Sequence, residues 1–285
     1  MTRQIATQGL VVITGGAGHV GLACARAFSE YRILISDLRA DAVNAAVSNL
    51  RADGMDVCGH AADITHDGQA RELAHVAAGM GGFQVLVHAA GVAPPAPPEI
   101  IYAVNLFGTI NVLAAFESLA TPDSAGICIA SLAGHRKLGH RFDDLLLDPK
   151  EDAGALAARI EAECPSTPKS RLAYAVSKRG TILQVQRHAL AWGRRRGRLL
   201  SVSPGVLADT DMGAARRLAL APNDDDSTLG RLGLSTEIAQ VVRFGASPAA
   251  SILTGTDLLA DGGFLAEAEH GFDAARLAGW HALEF

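Results

Sequence analysis

Tyr174 and Lys178 lie four residues apart in Leu172-Ala-Tyr-Ala-Val-Ser-Lys178. Positions i and i+4 of a helix share one face, so the ammonium can stand beside the phenol. An unperturbed tyrosine titrates near ~10, and a neighbouring positive charge favours its phenolate. A general base works best when its pKa approaches the working pH. The pair could therefore make a tyrosine useful near neutrality. Far upstream, Thr14-Gly-Gly-Ala-Gly-His-Val-Gly21 carries the glycines of a dinucleotide turn. Together the two motifs point to hydride transfer with Tyr174 exchanging the proton. A Tyr/Lys pair at this spacing also occurs on ordinary helices, so the inference leans on the glycine turn and on a strand-end serine, Ser131.

These groups need a scaffold. Short apolar runs at 10–14, 33–37, 57–61, 85–89 and 126–131 look like buried parallel strands. Helical spacing fills 20–30, 41–53, 67–80 and 98–119. A helix at 171–192 carries the Tyr/Lys pair. A strand at 198–203, a helix N-capped by Ser235 and a strand at 256–260 follow. The alternation predicts an α/β fold: one Rossmann-type, doubly wound parallel sheet with helices on both faces. We expect a single dinucleotide-binding domain spanning 1–285. Two segments break the pattern. An insertion at 135–170 contains Pro149, Pro165 and Pro168 and a short helix near 152–163 with Ala153, Leu156, Ala157 and Ile160 on one face. A lid at 206–234 contains Asp224-Asp-Asp226.

The glycine turn follows a predicted strand and opens a helix, the context in which G-x-G-x-x-G binds a pyrophosphate. Gly15, Gly18, His19 and Val20 are the expected contacts. Asp37 ends the second strand, where a carboxylate can hold both adenosine ribose hydroxyls and repel a 2′-phosphate. NAD is therefore favoured over NADP, although Arg39 could soften the preference. Leu38, Asp63, Ile64, Ala90 and Gly91 also fall at strand carboxyl ends. Asp63 could accept from adenine or simply cap a turn.

The formal charge of -5 over 285 residues gives no reason to expect a nucleic-acid or membrane partner. Arg194-Arg-Arg196 with Arg198 reads as a solvated helix C-terminus. Cys24, Cys58, Cys128 and Cys164 match no metal or redox spacing, and Cys24 and Cys128 read as packed thiols. His88, His135 and His140 lack ligand partners at metal spacing and read as solvent-facing or satisfied side chains. No secretory segment is evident, and no apolar run reads as long enough to cross a bilayer. A soluble protein of a reducing cytoplasm is the expectation.

Taken in order, Thr14–Gly21, Asp37, Asp63, Ala90-Gly91, Asn105, Ser131, Tyr174/Lys178, Pro204-Gly205, Thr210 and Asp261-Gly-Gly263 resemble the short-chain dehydrogenase/reductase family over nearly the whole chain. Leu172–Lys178, Ala191-Trp-Gly193 and the long Ser131-to-Tyr174 gap look like its 3α-hydroxysteroid dehydrogenase/carbonyl reductase branch. The resemblance implies that Ser131 holds the substrate oxygen and Tyr174 exchanges the proton. Lys178 would bind the nicotinamide ribose and depress the Tyr174 pKa, and Asn105 would hold a relay water. Pro204, Val206 and Thr210 would line the cofactor. Three departures stand out. His19 replaces a usual glycine, His88-Ala89 replaces two asparagines, and an extra residue precedes Thr210.

The expected activity is thus NAD-dependent interconversion of a secondary alcohol and a ketone, without metal. Leu145-Leu-Leu147, Leu207, Met212, Leu218 and Leu220 suggest an apolar, cyclic substrate such as a steroid or terpenoid. A nucleotide-sugar epimerase and a non-catalytic dinucleotide sensor are the competing readings. A homodimer through the last helix and strand is expected over a tetramer. The tail, with Phe272, Leu277, Trp280 and Phe285, is expected to dock on the body or on a partner subunit.

Overall fold

The apolar runs become the strands β1 (Gln8–Thr14), β2 (Tyr31–Asp37), β3 (Val57–Ala61), β4 (Val85–His88), β5 (Ala125–Ile129), β6 (Arg198–Pro204) and β7 (Thr256–Ala260). This computed structural model describes residues 8–211, 213–214 and 228–270. The strands form one sheet in the order β3-β2-β1-β4-β5-β6-β7, parallel throughout. The chain reverses its direction of travel across the sheet between β1 and β4, so a crevice opens at their carboxyl ends.

The described helices are α1 (His19–Ala27), α2 (Ala40–Ala52), α3 (Asp67–Gly79), α4 (Pro98–Tyr102), α5 (Gly108–Glu117), α6 (Lys137–His140), α7 (Asp143–Leu147), α8 (Ala153–Glu163), α9 (Lys169–Arg194), α10 (Ser235–Ala246) and α11 (Phe264–His270). Alternate strand residues face opposite sides. Val11, Ile13, Ile33, Ile35, Val87 and Ile127 pack under α1, α2 and α10. Val12, Leu34, Leu86, Cys128 and Leu199 pack under α3, α5 and α9, around Phe116 and Trp192. Each such side chain contributes roughly 1.5–3 kcal/mol when fully buried. Both faces are covered, which is why the strands read as continuous apolar runs rather than alternating ones.

The insertion builds a third apolar cluster. Phe142, Leu146, Leu156 and Ile160 close over Ile101, Tyr102, Leu172 and Val176. Asp152 N-caps α8 by accepting from Ala155 N at 2.9 Å. Three side chains of α9 pin the insertion. Arg179 Nε donates to Asp143 at 2.9 Å, Gln184 Nε2 donates to Leu146 O at 2.7 Å, and Arg187 donates to Leu147 O.

Several local expectations need correction. The helix at 98–119 is interrupted by a π-helical turn, Ala103–Phe107. β5 ends at Ile129, because Ser131 already caps the 3-10 turn Leu132–His135. Ser235 is not the N-cap of α10. Leu234 is, with its N–H bonded to Glu237, while Ser235 donates to Asp209. Arg198 is not solvated: it turns inward and donates to the carbonyls of Gly245, Ala246 and Ser247 at the end of α10 and of Ala250 in the 3-10 turn that follows. Pro98–Glu117 is long and apolar enough to cross a membrane, contrary to the sequence reading, but half of that stretch is buried inside the protein. Met212, Leu218, Leu220, Asp224-Asp-Asp226 and the tail residues Phe272, Leu277, Trp280 and Phe285 lie outside the described residues.

Candidate active site

The turn after β1 shows why its glycines are there. Gly15 has φ +65°, and a Cβ on it would stand 2.4 Å from Ala90 N. The first loop thus lies directly on the Ala89-Ala90 backbone beyond β4. Gly18 and His19 are exposed at the start of α1, whose N-terminus has no side-chain cap and no acidic residue in its first turn. Unsatisfied N–H groups at such a terminus suit an anion.

Asp37 turns its carboxylate toward this loop. It accepts from Ala17 N at 3.1 Å and from Leu38 N at 2.8 Å, and it remains partly open to solvent. Leu38 beside it is 63% exposed. An open glycine turn, an uncapped helix start and a carboxylate at the next strand end fit an adenine dinucleotide.

Asp63 and Ile64 are tied up locally. Asp63 accepts from both the N–H and the hydroxyl of Thr65 and pairs with His66. Burial raises its pKa, but these contacts outweigh burial and hold the carboxyl below its ordinary value. Ile64 buries its side chain, and Asn111 takes its carbonyl.

The chemical half of the site forms at the carboxyl end of β5. Tyr174 is partly buried on α9. Lys178 lies one turn on, with its Nζ 5.9 Å from the centroid of the Tyr174 ring. Ser131 interacts with the phenol and favours its ionised form. Burial outweighs this and holds the Tyr174 pKa above its ordinary value. That direction is opposite to the expectation from Lys178. The physical reason is that the Lys178 ammonium is directed at Ile129 O, 2.8 Å away, while the phenol is desolvated. Burial in turn lowers the Lys178 pKa to about 8, with Cys128 acting in the opposite direction.

Asn105 sits in the π turn and is 1% exposed. Its Oδ1 accepts from Val92 N at 2.8 Å. Its Nδ2 donates to Val92 O at 2.9 Å and to Ser177 Oγ at 3.1 Å. Ser177 in turn donates to Tyr174 O at 3.0 Å, so Asn105 braces the turn of α9 that carries the tyrosine. The Asn105 carbonyl accepts from Thr109 at 2.7 Å and from Thr181 at 3.1 Å. Gly91 lies against both Asn105 Oδ1 and Lys178 Nζ. Pro204 closes β6, Val206 O accepts from Gly233 N at 3.0 Å, and Thr210 receives Gly213 N at 3.1 Å.

Sequence reasoning missed the contact that sets Ser131 against Tyr174. A Cβ on Gly134 would stand 2.8 Å from the Lys178 carbonyl carbon and 2.9 Å from its oxygen. The bare glycine lets the turn after Ser131 lie on the backbone of α9. Only the short distance of Gly134 from Ser131 in the sequence could have flagged it. His135 is held by Asp257 at 2.9 Å, and Asp257 also accepts from Ser201 at 2.5 Å. Among the described residues no cluster of side chains could hold a metal.

Two family models match the chain: "short chain dehydrogenase" over residues 9–141 and "Enoyl-(Acyl carrier protein) reductase" over 158–265. The short-chain dehydrogenase/reductase bsc3 of Alternaria brassicicola is 31% identical over 271 residues, covering 90% of this chain and 95% of that one. The 3-alpha-hydroxysteroid dehydrogenase/carbonyl reductase of Comamonas testosteroni is 28% identical over 270 residues, covering 89% and 95%. The crystal structure of gox2181 superposes with a TM-score of 0.69 at 23% identity, covering 91% and 96%, and it has the same kind of fold. An oxidoreductase that acts on alcohols or ketones with a nicotinamide dinucleotide agrees with both halves of the crevice, and the chain belongs to the short-chain dehydrogenase/reductase family.

Proposed function

We propose that the protein is an NAD-dependent dehydrogenase interconverting a secondary alcohol and a ketone. The observation that carries this reading is the meeting of Ser131, Tyr174 and Lys178 at the end of β5, beside a glycine turn guarded by Asp37. Bound NAD supplies the hydride acceptor. Gly15, Gly18, His19, Val20, Asp37, Leu38, Ala90, Gly91, Pro204, Val206 and Thr210 would hold it, with Asp63 and Ile64 contributing backbone. In oxidation, Tyr174 takes the hydroxyl proton while Ser131 donates a hydrogen bond to the same oxygen. Lys178 would bind the nicotinamide ribose, and Asn105, through Ser177, braces the turn of α9 that carries Tyr174. Asp37 repels a 2′-phosphate, which supports NAD over NADP. The composition of the insertion and of 206–234 supports an apolar, cyclic substrate, although Leu207 is itself buried in the core and Leu145 and Leu147 pack on the apolar cluster of the insertion. One domain, a lid at 206–234, a cytoplasmic location and a homodimer complete the proposal.

The test is turnover of a panel of cyclic and steroidal alcohols with NAD or NADP, followed by reduced-nicotinamide absorbance. NAD-linked turnover that falls by about 10²-fold or more in Tyr174→Phe is expected, the scale of a lost general base. Turnover that survives in the variant sinks the role of Tyr174. A preference for NADP sinks the reading of Asp37.

A further inference from the structure

His88 ends β4 beneath the crevice and is 1% exposed. Its Nδ1 lies 2.7 Å from Thr14 Oγ1, and its Nε2 lies 3.0 Å from Thr109 Oγ1. Thr14 is the last residue of β1, its register partner is His88, and the next residue begins the glycine turn. Thr109 donates to the Asn105 carbonyl at 2.7 Å. The Thr109 hydroxyl has one proton, already committed to Asn105, so it faces His88 as an acceptor. Nε2 must then carry the imidazole proton, and the bare Nδ1 accepts from the Thr14 hydroxyl. The chain Thr14–His88–Thr109–Asn105 runs in one direction with every proton placed.

We propose that His88 is a positioning residue which, through its two ring nitrogens, sets the glycine turn and the Asn105 turn relative to each other. This rests on the reading of those turns as cofactor and catalytic machinery. A positively charged imidazole would put a second proton on Nδ1 and break the link to Thr14. Two titratable groups stand near the ring: Lys178 from α9 and Cys128, its register partner in β5. Burial and then the Lys178 charge lower the His88 pKa to about 3, and burial raises Cys128 to about 12. The ring therefore stays neutral through the physiological range. Neither nitrogen is available as a metal ligand or as an acid, which separates this residue from a proton relay.

The two links can be cut separately. An asparagine can place an acceptor near the Nδ1 position but falls short of Thr109. A glutamine can reach Thr109 with a donor but offers nothing to Thr14. Long-range proton–nitrogen spectra of the wild-type protein should show a single Nε2–H tautomer, unchanged between about pH 5 and about pH 8, where an ordinary histidine titrates. An Nδ1–H form, or titration in that range, would overturn the proposal.

His88→Asn should speed amide exchange across 103–109 about tenfold more than His88→Gln does, and His88→Gln should weaken NAD binding about tenfold more than His88→Asn does. Equal effects of both variants on both readouts would also overturn it, because a histidine that merely fills space has no reason to separate them. If the wild-type chain turns over no alcohol, the proposed function fails. The tautomer and exchange measurements still decide the role of His88.

Discussion

Lys178 carries a conflict between charge and burial. Among the described residues its ammonium donates to the Ile129 carbonyl alone, and burial lowers its pKa from 10.5 to about 8. Below pH 8 the folded and unfolded chains are both protonated there, so the full cost of burying the charge is present. Between 8 and 10.5 the folded chain sheds its proton first, and the cost shrinks as pH rises. Lys178→Met should therefore stabilise the fold at neutral pH by on the order of 3 kcal/mol, and the gain should fade toward pH ~10. Turnover should collapse in the same variant. Urea unfolding at two pH values checks this. A variant less stable than wild type at neutral pH would show that the carbonyl contact outweighs desolvation. The site holds a charge the fold alone would reject, as expected where stability is given up for chemistry.

At the scale of elements, the proposed catalytic geometry rests on a contact between a turn and a helix. Ser131 belongs to the 3-10 turn after β5 and Tyr174 to α9, and Gly134 is where the two backbones touch. Gly134→Ala must push the turn away from Lys178 and Arg179 or distort α9, at a cost of roughly 1–3 kcal/mol. Because a misplacement of ~1 Å can cost 10²-fold in rate, its kcat should fall by about that factor while NAD affinity holds. Gly193→Ala is the control. It lies in the last turn of α9 with nothing within 4 Å of the added methyl. Helix propensity predicts a gain of about 0.8–1 kcal/mol there with activity intact. Equal kcat in the two variants would show that the Ser131 turn can slide. The insertion belongs to the same scale. Asp143, Leu146 and Leu147 are fastened to α9 by Arg179, Gln184 and Arg187, so the helix that carries Tyr174 is braced on its outer side as well.

At the scale of the whole molecule, β7 ends the sheet with no described strand beyond it. Leu259 on β7, Phe244 on α10 and Ile252 between them are 40%, 46% and 90% exposed. An unpaired strand edge flanked by apolar side chains is a template for association. By contrast, α7 and α8 cover the outer faces of α4 and α9. This contrast supports the proposed homodimer, with β7 and α10 as its interface. Light scattering should give twice the chain mass, and Phe244→Glu combined with Leu259→Lys should give the chain mass alone. A stable tetramer, or a dimer indifferent to both substitutions, would move the interface elsewhere.

Periodicity alone made the fold legible. Strands buried on both faces, such as β4 and β5, must be apolar at nearly every position, and the more open edge strands β3 and β7 also fall where the sequence places them. The two motifs also survive reading in one dimension, because a glycine turn and an i, i+4 pair are local geometry. Local geometry could not supply the pairings across the chain. The Asp37 contact with Ala17 spans 20 residues, that of His88 with Thr14 spans 74, and that of Asn105 with Ser177 spans 72. The sequence reads His88 as a solvent-facing or satisfied side chain, and the tertiary structure decides between the two by placing it between two hydroxyls. The direction of the Tyr174 pKa lies beyond local geometry for the same reason. Proximity along a helix says that a charge is near, whereas only packing decides how much water the phenol loses and which carbonyl the lysine chooses.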